Sequence, residues 1–517
     1  MKEFLFAFFM LTISTSSIGQ KKEWLGLCQE LNPSLYSQNI DTLYIENGQG
    51  YCESYAKVLD ERISKLKNLV HLTYIGYAPY FHGPEVEISL PKEISELPKL
   101  RYLRTRYLNH EIFGLSNIET LNLGCSSYDL KYFEKNSFSK LNSLRHLTLA
   151  FVQTPDSAEF KGIRDLENLE SIVLVNPSQQ LIDECLANRN LKSIKISRTK
   201  DMKFDFSKTL NIEFVSLEFN ELTEVPESIY ALKKLKNLLL GWNVITEISR
   251  DIDQLSNLEN INFLFNKLSS IPDEITKCSK LKTFNFRGNR DIIQLPEDLG
   301  DLKEMTEFDV SECTITTLPK SLKNCSKLIS FEAKKNKLVK LDLDFSGMLD
   351  LKDLNVESNK ITFIDPTLFQ LEKVEQLDLN NNKLTILAES IGNMKSLEDL
   401  NIFYNNLTEL PNDIGNLTEL VRLSAYQNSI TTLPSSLCKL QNLRAMHFGN
   451  NEIKRFPENL DNLKSLQNFE LQSNPLKKFP KEIYKIKSIH MIWVSQSYRL
   501  LPGFKAKKKD PEVIFTR

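Results

Sequence analysis

A period of 23 residues constrains this chain more than any other feature. In residues 397–420, apolar side chains stand at Leu397, Leu400, Ile402, Leu407, Leu410, Ile414, Leu417 and Leu420, with Asn405 and Pro411 between them. The template fits again 23 residues away in either direction. From residue 212, units start at Ile212, Leu235, Leu258, Leu281, Met305, Leu328, Leu351, Val374, Leu397, Leu420, Leu443, Leu466 and Ile489. Every step is 23 except that from Leu281 to Met305, which is 24. The extra residue falls between Asn289 and Pro296. Looser units start near Leu69, Leu100, Ile118, Leu144, Leu169 and Leu191. Such self-similarity at a fixed period is the signature of a stacked array, in which each unit adds to one continuous core.

The physics of one unit follows from its spacing. Apolar residues two apart, as in Leu400 and Ile402, line one face of a short strand. An asparagine comes next, at 220, 243, 266, 289, 336, 359, 382, 405, 428, 451 and 474. Its amide can satisfy backbone groups that a buried turn leaves unpaired. A proline then opens a segment with apolar residues three apart, Ile414 and Leu417 after Pro411, which suits a short helix or 3-10 turn. One unit cannot bury its apolar face alone, so the strands are expected to stack into a parallel sheet.

The motif LxxLxLxxNxLxxLPxxIxxLxxL resembles the leucine-rich repeat family in its 23-residue class, closely over 212–494 and loosely over 40–211. The resemblance implies an α/β fold, a right-handed solenoid or horseshoe. A parallel sheet would line its concave side, with short helices or 3-10 turns on the convex side. It also implies a non-enzymatic function, recognition of a protein or glycan partner on the concave face. An intracellular signalling scaffold of the Ras-associated leucine-rich-repeat class shares the signature and stands as the alternative.

The first residues carry Lys2, an apolar run over 4–13, and small residues up to Gly19. That layout is expected to be a signal peptide at 1–19, which places the protein outside the cytoplasm. The expected organisation continues with an N-terminal cap and first strand at 20–68, including a helical segment over 53–66. Irregular repeats follow at 69–211, regular repeats at 212–494, and a cap and tail at 495–517. No later stretch is apolar for the length of a membrane span. The net charge of −2 gives no reason to expect a nucleic-acid partner. Oligomeric state has no sequence signal.

Cys28 and Cys52 flank the N-terminal end, where a disulfide would staple an open edge; two buried thiols are the other reading. Cys313 occupies the asparagine position of its unit, and Cys278, Cys325 and Cys438 sit at core positions. No cysteine pair has zinc-ligand spacing, so neither metal nor cofactor is expected. The metalloprotease, phosphate-loop and serine-hydrolase motifs are absent, so no catalytic residue is assigned.

Candidate ligand contacts are the departures from consensus on the strand face away from the core. Aromatic and apolar candidates are Phe219, Trp242, Leu264 and Phe265, then Phe403, Tyr404 and Tyr426, then Trp493. Exposed aromatics on neighbouring strands favour recognition, although they can also serve as cross-strand pairs. Between them, Arg287, Asp309, Glu332 and Lys334 are candidate specificity charges. The stretched first unit adds a loop over 75–90 with Tyr77, Tyr80, Phe81 and His82.

Overall fold

The computed structural model describes residues 22–26, 40–46, 59, 61–75, 90–106, 108–125, 133, 137–152, 160–504 and 512–516. Residues 1–19, Cys28, Cys52 and the 76–89 loop, with the calls made on them, lie outside these. The chain divides into two compact units, Met1–Asn211 and Ile212–Arg517.

In the first unit, Lys22–Gly26, Thr42–Glu46, His71–Ile75, Tyr102–Thr105, Thr120–Cys125, His146–Phe151, Ser171–Val175 and Ser193–Ser197 pair in chain order. Every pairing is parallel. Within the region expected to hold the N-terminal cap and first strand, Lys22–Gly26 already pairs with Thr42–Glu46. Of the segment expected to be helical at 53–66, the described part Glu61–Lys65 is a 3-10 turn like those of later repeats. An α-helix, Gln179–Leu186, takes the place of such a turn in one unit, opened by Ser178, whose hydroxyl accepts from Leu181 N.

In the second unit, strands run from Phe214–Ser216 to Glu512–Thr516, each parallel to the next in the sheet. The 24-residue step costs no register: Thr283, Phe284 and Asn285 pair with Glu307, Phe308 and Asp309. Glu512–Thr516, within the expected cap and tail, adds a strand beside Met491–Ser495, and Arg499 lies 4.0 Å over the Phe515 ring. An added strand satisfies the main-chain groups that the sheet edge would otherwise leave unpaired.

Apolar residues at three-residue spacing build the opposite side. Pro411 sets the extended entry, and Ile414 N bonds Pro411 O while Leu417 N bonds Ile414 O. Ile414, Leu417 and Leu420 are fully buried. Three-residue spacing eclipses on a 3-10 turn, so all three point into the core. Phenylalanines fill the middle of the unit: Phe284 stacks on Phe308 at 5.6 Å, Phe308 meets Phe331 at 5.0 Å, and Phe331 meets Phe345 at 6.4 Å.

The asparagines form a hydrogen-bonded ladder. Asn382 Nδ2 donates to Val356 O, Leu379 O and Asn380 O at 3.0, 3.0 and 3.1 Å. Its Oδ1 accepts from Ile361 N at 3.0 Å. Asn336, Asn359, Asn405 and Asn451 repeat the arrangement. At Cys313 the ladder is interrupted for a visible reason. The backbone N–H that an asparagine there would serve is that of Ile292, and within the longer repeat this N–H already bonds Asn289 O at 3.1 Å. The Cys313 thiol lies 3.5 Å from Phe286 O, and burial pushes its pKa to about 12, as for Cys278. Cys313→Ala is therefore expected to cost about 1 kcal/mol or less. A urea midpoint shift as large as that of a ladder asparagine would contradict this account.

Candidate functional site on the open face of the second unit

Strand alternation sends every second side chain away from the core. In the second unit this builds long columns on the open face, one member per repeat. The residue just before each ladder position, whether asparagine or Cys313, has a further property. Phe219, Trp242, Phe265, Glu312, Lys335, Ser358, Asn381, Tyr404, Gln427, Asn450 and Ser473 all have φ between 50° and 62°, and Gly288 has φ 80°. Here the chain turns inward through the left-handed region, which suits glycine and asparagine and is strained for bulky residues.

The first aromatic group lies on this column. Phe219 stacks on Trp242 at 5.6 Å and 10°, and Trp242 meets Phe265 at 4.2 Å. Trp242 remains 47% exposed. A Cβ on Gly288 would come within 2.4 Å of Phe265 Cδ1, so the ring edge rests on the glycine backbone. The Arg287 guanidinium stands 5.7 Å from the ring centroid. Leu264 lies against Gly241, whose missing Cβ would be 3.0 Å from Leu264 Cδ2.

A second group joins Phe403 to Tyr404 at 5.3 Å and Tyr404 to Tyr426 at 6.3 Å. Tyr404 is 45% exposed, and Tyr426 OH accepts from Asn450 Nδ2 at 2.7 Å. Six strand steps separate Phe265 from Tyr404, roughly 30 Å along the sheet. Trp493, half-buried on Met491–Ser495, lies three strands past Tyr426 and joins neither group. The histidines on these faces form no cluster: His71 stacks on Tyr102, His146 Nδ1 meets Ser171 Oγ at 2.8 Å, and His447 stands 4.0 Å from Glu470.

Each of the candidate charges already has a partner within the protein. Arg287 donates to Glu312 at 2.6 Å, Lys335 lies 3.7 Å from the same carboxylate, and Lys334 stands 3.3 Å from Glu332. The Arg287 bond holds the Glu312 carboxyl below its ordinary range. Burial raises Glu332, with Lys334 opposing, and raises Asp378 against bonds from Asn380 and Asn401. Asp309 Oδ1 accepts from Ser311 N at 2.9 Å, and Asn262, Asn285, Asn355 and Asp378 do the same two residues on. That column of short polar side chains shapes the turn as well as the surface.

Ser311, Gly288, Gly449 and Gln472 belong to the same columns and were not singled out from sequence. Their column membership was readable, but the absence of a Cβ beside a ring and an unpaired buried atom emerge only from packing.

A family model described as a BspA type leucine rich repeat region matches residues 104–204, 199–297 and 300–418, more than half of the chain. A second, described as a leucine-rich repeat region, matches 369–499. The chain belongs to the leucine-rich repeat family.

The stacked parallel strands and short turns of both units are those of a leucine-rich-repeat solenoid. A leucine-rich-repeat protein of Leptospira interrogans is 27% identical with a TM-score of 0.55, covering 83% of this chain and 91% of that one. An internalin from Listeria monocytogenes is 21% identical with a TM-score of 0.53, covering 60% and 88%. The ectodomain of a plant membrane receptor kinase from Arabidopsis thaliana, solved in complex with Casparian strip integrity factor 2, is 20% identical with a TM-score of 0.58, covering 95% and 68%. The last two establish a shared fold. No curated protein matches the sequence. Among the described residues, no helix is long and apolar enough to cross a membrane.

Proposed function

We propose that this leucine-rich-repeat protein is a non-enzymatic binding module that takes a protein partner across the open face of its second unit. The carrying observation is where the aromatic rings sit. Phe219, Trp242, Phe265 and Tyr404 occupy left-handed backbone positions that Gly288, Asn381 and Asn450 fill elsewhere in the same column. A bulky residue there costs on the order of 1 kcal/mol that glycine or asparagine would avoid. Rings held at that cost and left half-exposed are suited to being covered by a ligand. The mutual stacking of Phe219, Trp242 and Phe265 gives them a rigid edge to present. The similar receptor-kinase ectodomain solved in complex with Casparian strip integrity factor 2 agrees with this reading.

The test uses a partner retained by the immobilised full chain and then titrated. Trp242→Asn combined with Tyr404→Asn removes both exposed rings and leaves residues suited to the backbone. Affinity is expected to fall at least about tenfold, with thermal unfolding unchanged or slightly improved. Unchanged affinity would remove the aromatic patches from the function. Binding that survives proteolysis of the partner and is lost on periodate treatment would indicate a glycan.

The reading includes export, carried by the apolar run at 4–13. N-terminal sequencing checks it: an intact Met1 in the cytosolic fraction would favour the intracellular scaffold.

A further inference from the structure

In the second unit, the segment between each ladder position and the following 3-10 turn forms a flank of the stack. Residues 314–317, 337–340, 360–363 and 383–386 are this segment in consecutive repeats. They hold Lys337, Lys340, Lys360 and Lys383 and no acidic residue. Backbone bonds join the repeats here: Lys337 N donates to Ile315 O at 2.9 Å, Lys360 N to Leu338 O at 2.8 Å and Lys383 N to Ile361 O at 2.9 Å. Lys340–Leu341 and Phe363–Ile364 also pair as a two-stranded parallel sheet. Lys337, Lys360 and Lys383 hold the same place in successive repeats, so their backbones stand roughly 5 Å apart in turn.

The lysines of this flank differ from those at the other end of the strands. There Lys282 lies 2.7 Å from Glu259, Lys327 2.6 Å from Glu304 and Lys352 2.7 Å from Glu375, each carboxylate one repeat away. Among the described residues, Lys337, Lys340, Lys360 and Lys383 are exposed and have neither ion pair nor side-chain hydrogen bond. Like charges stacked side by side repel, and a carboxylate in the column would relieve them. Apolar side chains stand among these cations in water: Val339, Phe363 and Ile386 are 49%, 45% and 76% exposed. Phe363 is the register partner of Lys340, and Ile386 takes the place of Phe363 one repeat on. Exposed apolar groups rimmed by charge mark a contact surface.

The two kinds of side chain together select the occupant. A soluble polyanion satisfies the lysines and leaves Phe363 and Ile386 in water. An anionic bilayer takes both, because its headgroups meet ammonium groups on flexible stems while the apolar tips enter the boundary beneath. The cationic flank also extends beyond the size of a small anion. Lys454, Arg455, Lys477 and Lys478 are exposed at equivalent positions further along, with Glu409 the exposed carboxylate in between. The net charge of −2 conceals this flank, because it averages over the whole chain.

We propose that Lys337, Lys340, Lys360 and Lys383, with Phe363 and Ile386 among them, dock the protein onto a membrane surface carrying anionic lipid. The flank and the open face are built from different positions of each repeat, so docking here leaves the ring-bearing columns to a partner.

Co-sedimentation of the full chain with vesicles tests this, using phosphatidylcholine alone or mixed with phosphatidylglycerol. The readout is the ratio of partition onto the mixed and the neutral vesicles, in which any contribution from the apolar run at 4–13 cancels. The wild type is expected to prefer the mixed vesicles. Lys337→Gln, Lys360→Gln and Lys383→Gln together are expected to reduce that preference about a hundredfold at low salt, near fivefold for each cation. A charge-matched set on the 3-10 turns, Lys277→Gln, Lys323→Gln and Lys439→Gln, is expected to change it less than about threefold. Phe363→Ser with Ile386→Ser is expected to weaken binding to the mixed vesicles about tenfold. Thermal unfolding confirms that each variant is folded. Equal loss from the two lysine sets, or no preference of the wild type for mixed vesicles, overturns the proposal. Loss from the flank lysines with no effect of Phe363→Ser and Ile386→Ser also overturns it, and leaves a soluble polyanion as the occupant.

Discussion

Asn382→Ala is expected to destabilise the second unit by about 3 kcal/mol, the cost of leaving several buried polar groups unpaired at once. Asn382 is 2% exposed, and its amide joins two repeats. It donates to Val356 O in the preceding repeat and to Leu379 O and Asn380 O in its own, and it accepts from Ile361 N. Alanine fills the space incompletely and satisfies none of them. Water cannot easily replace the amide at so buried a site. Urea unfolding followed by circular dichroism measures the loss. Amide exchange at Ile361 adds a local readout, since its N–H loses its acceptor and its protection should fall furthest. A loss below that of Cys313→Ala would mean that the ladder is not what holds adjacent repeats in register.

Phe331→Ala is expected to cost about 4 kcal/mol, the usual range for a fully buried ring. Phe331 sits between Phe308 and Phe345, with no exposed surface. A solenoid has no single round core that can collapse into the void, because each repeat contacts only its neighbours. The void therefore stays between the repeats that line it. Unfolding should also lose its single cooperative step, as the regions on either side of residue 331 uncouple. Two-stage urea unfolding, or a protease cut that newly appears near this repeat, would show it. A single sharp transition with a small midpoint shift would mean that neighbouring phenylalanines close the gap.

Much of the scaffold was legible because its determinants are local and repeated. The leucines, the asparagine and the proline of each unit lie within one period, and their spacing alone predicts strand, inward turn and 3-10 segment. Even Cys313 was recognisable as the substitute for a ladder asparagine, though only the Ile292–Asn289 bond explains why no amide is needed there. The ends were harder. Lys22–Gly26 and Glu512–Thr516 are strands without the template, since an edge strand must pair on one side only and need not carry the full apolar set. The open-face columns were also readable, from the alternation of side chains. What occupies them as a site was not. Arg287 and Glu312 are 25 residues apart, and their bond exists because stacking sets equivalent positions side by side.

The sequence by itself determined the repeat, its length, the identity of the core and the face on which a ligand would be sought, because a period is a local rule copied many times. The tertiary structure decided which open-face side chains are already spent. Asp309 is tied to its own turn, Arg287 and Glu312 bind each other, and Phe219, Trp242 and Phe265 stack at strained backbone positions. It also decided which buried atoms have no hydrogen-bond partner within the protein, Arg287 Nε and Ser311 Oγ among them. The physical reason is that satisfaction of a buried polar atom depends on its neighbours in adjacent repeats. Those neighbours are brought together only when the repeats stack.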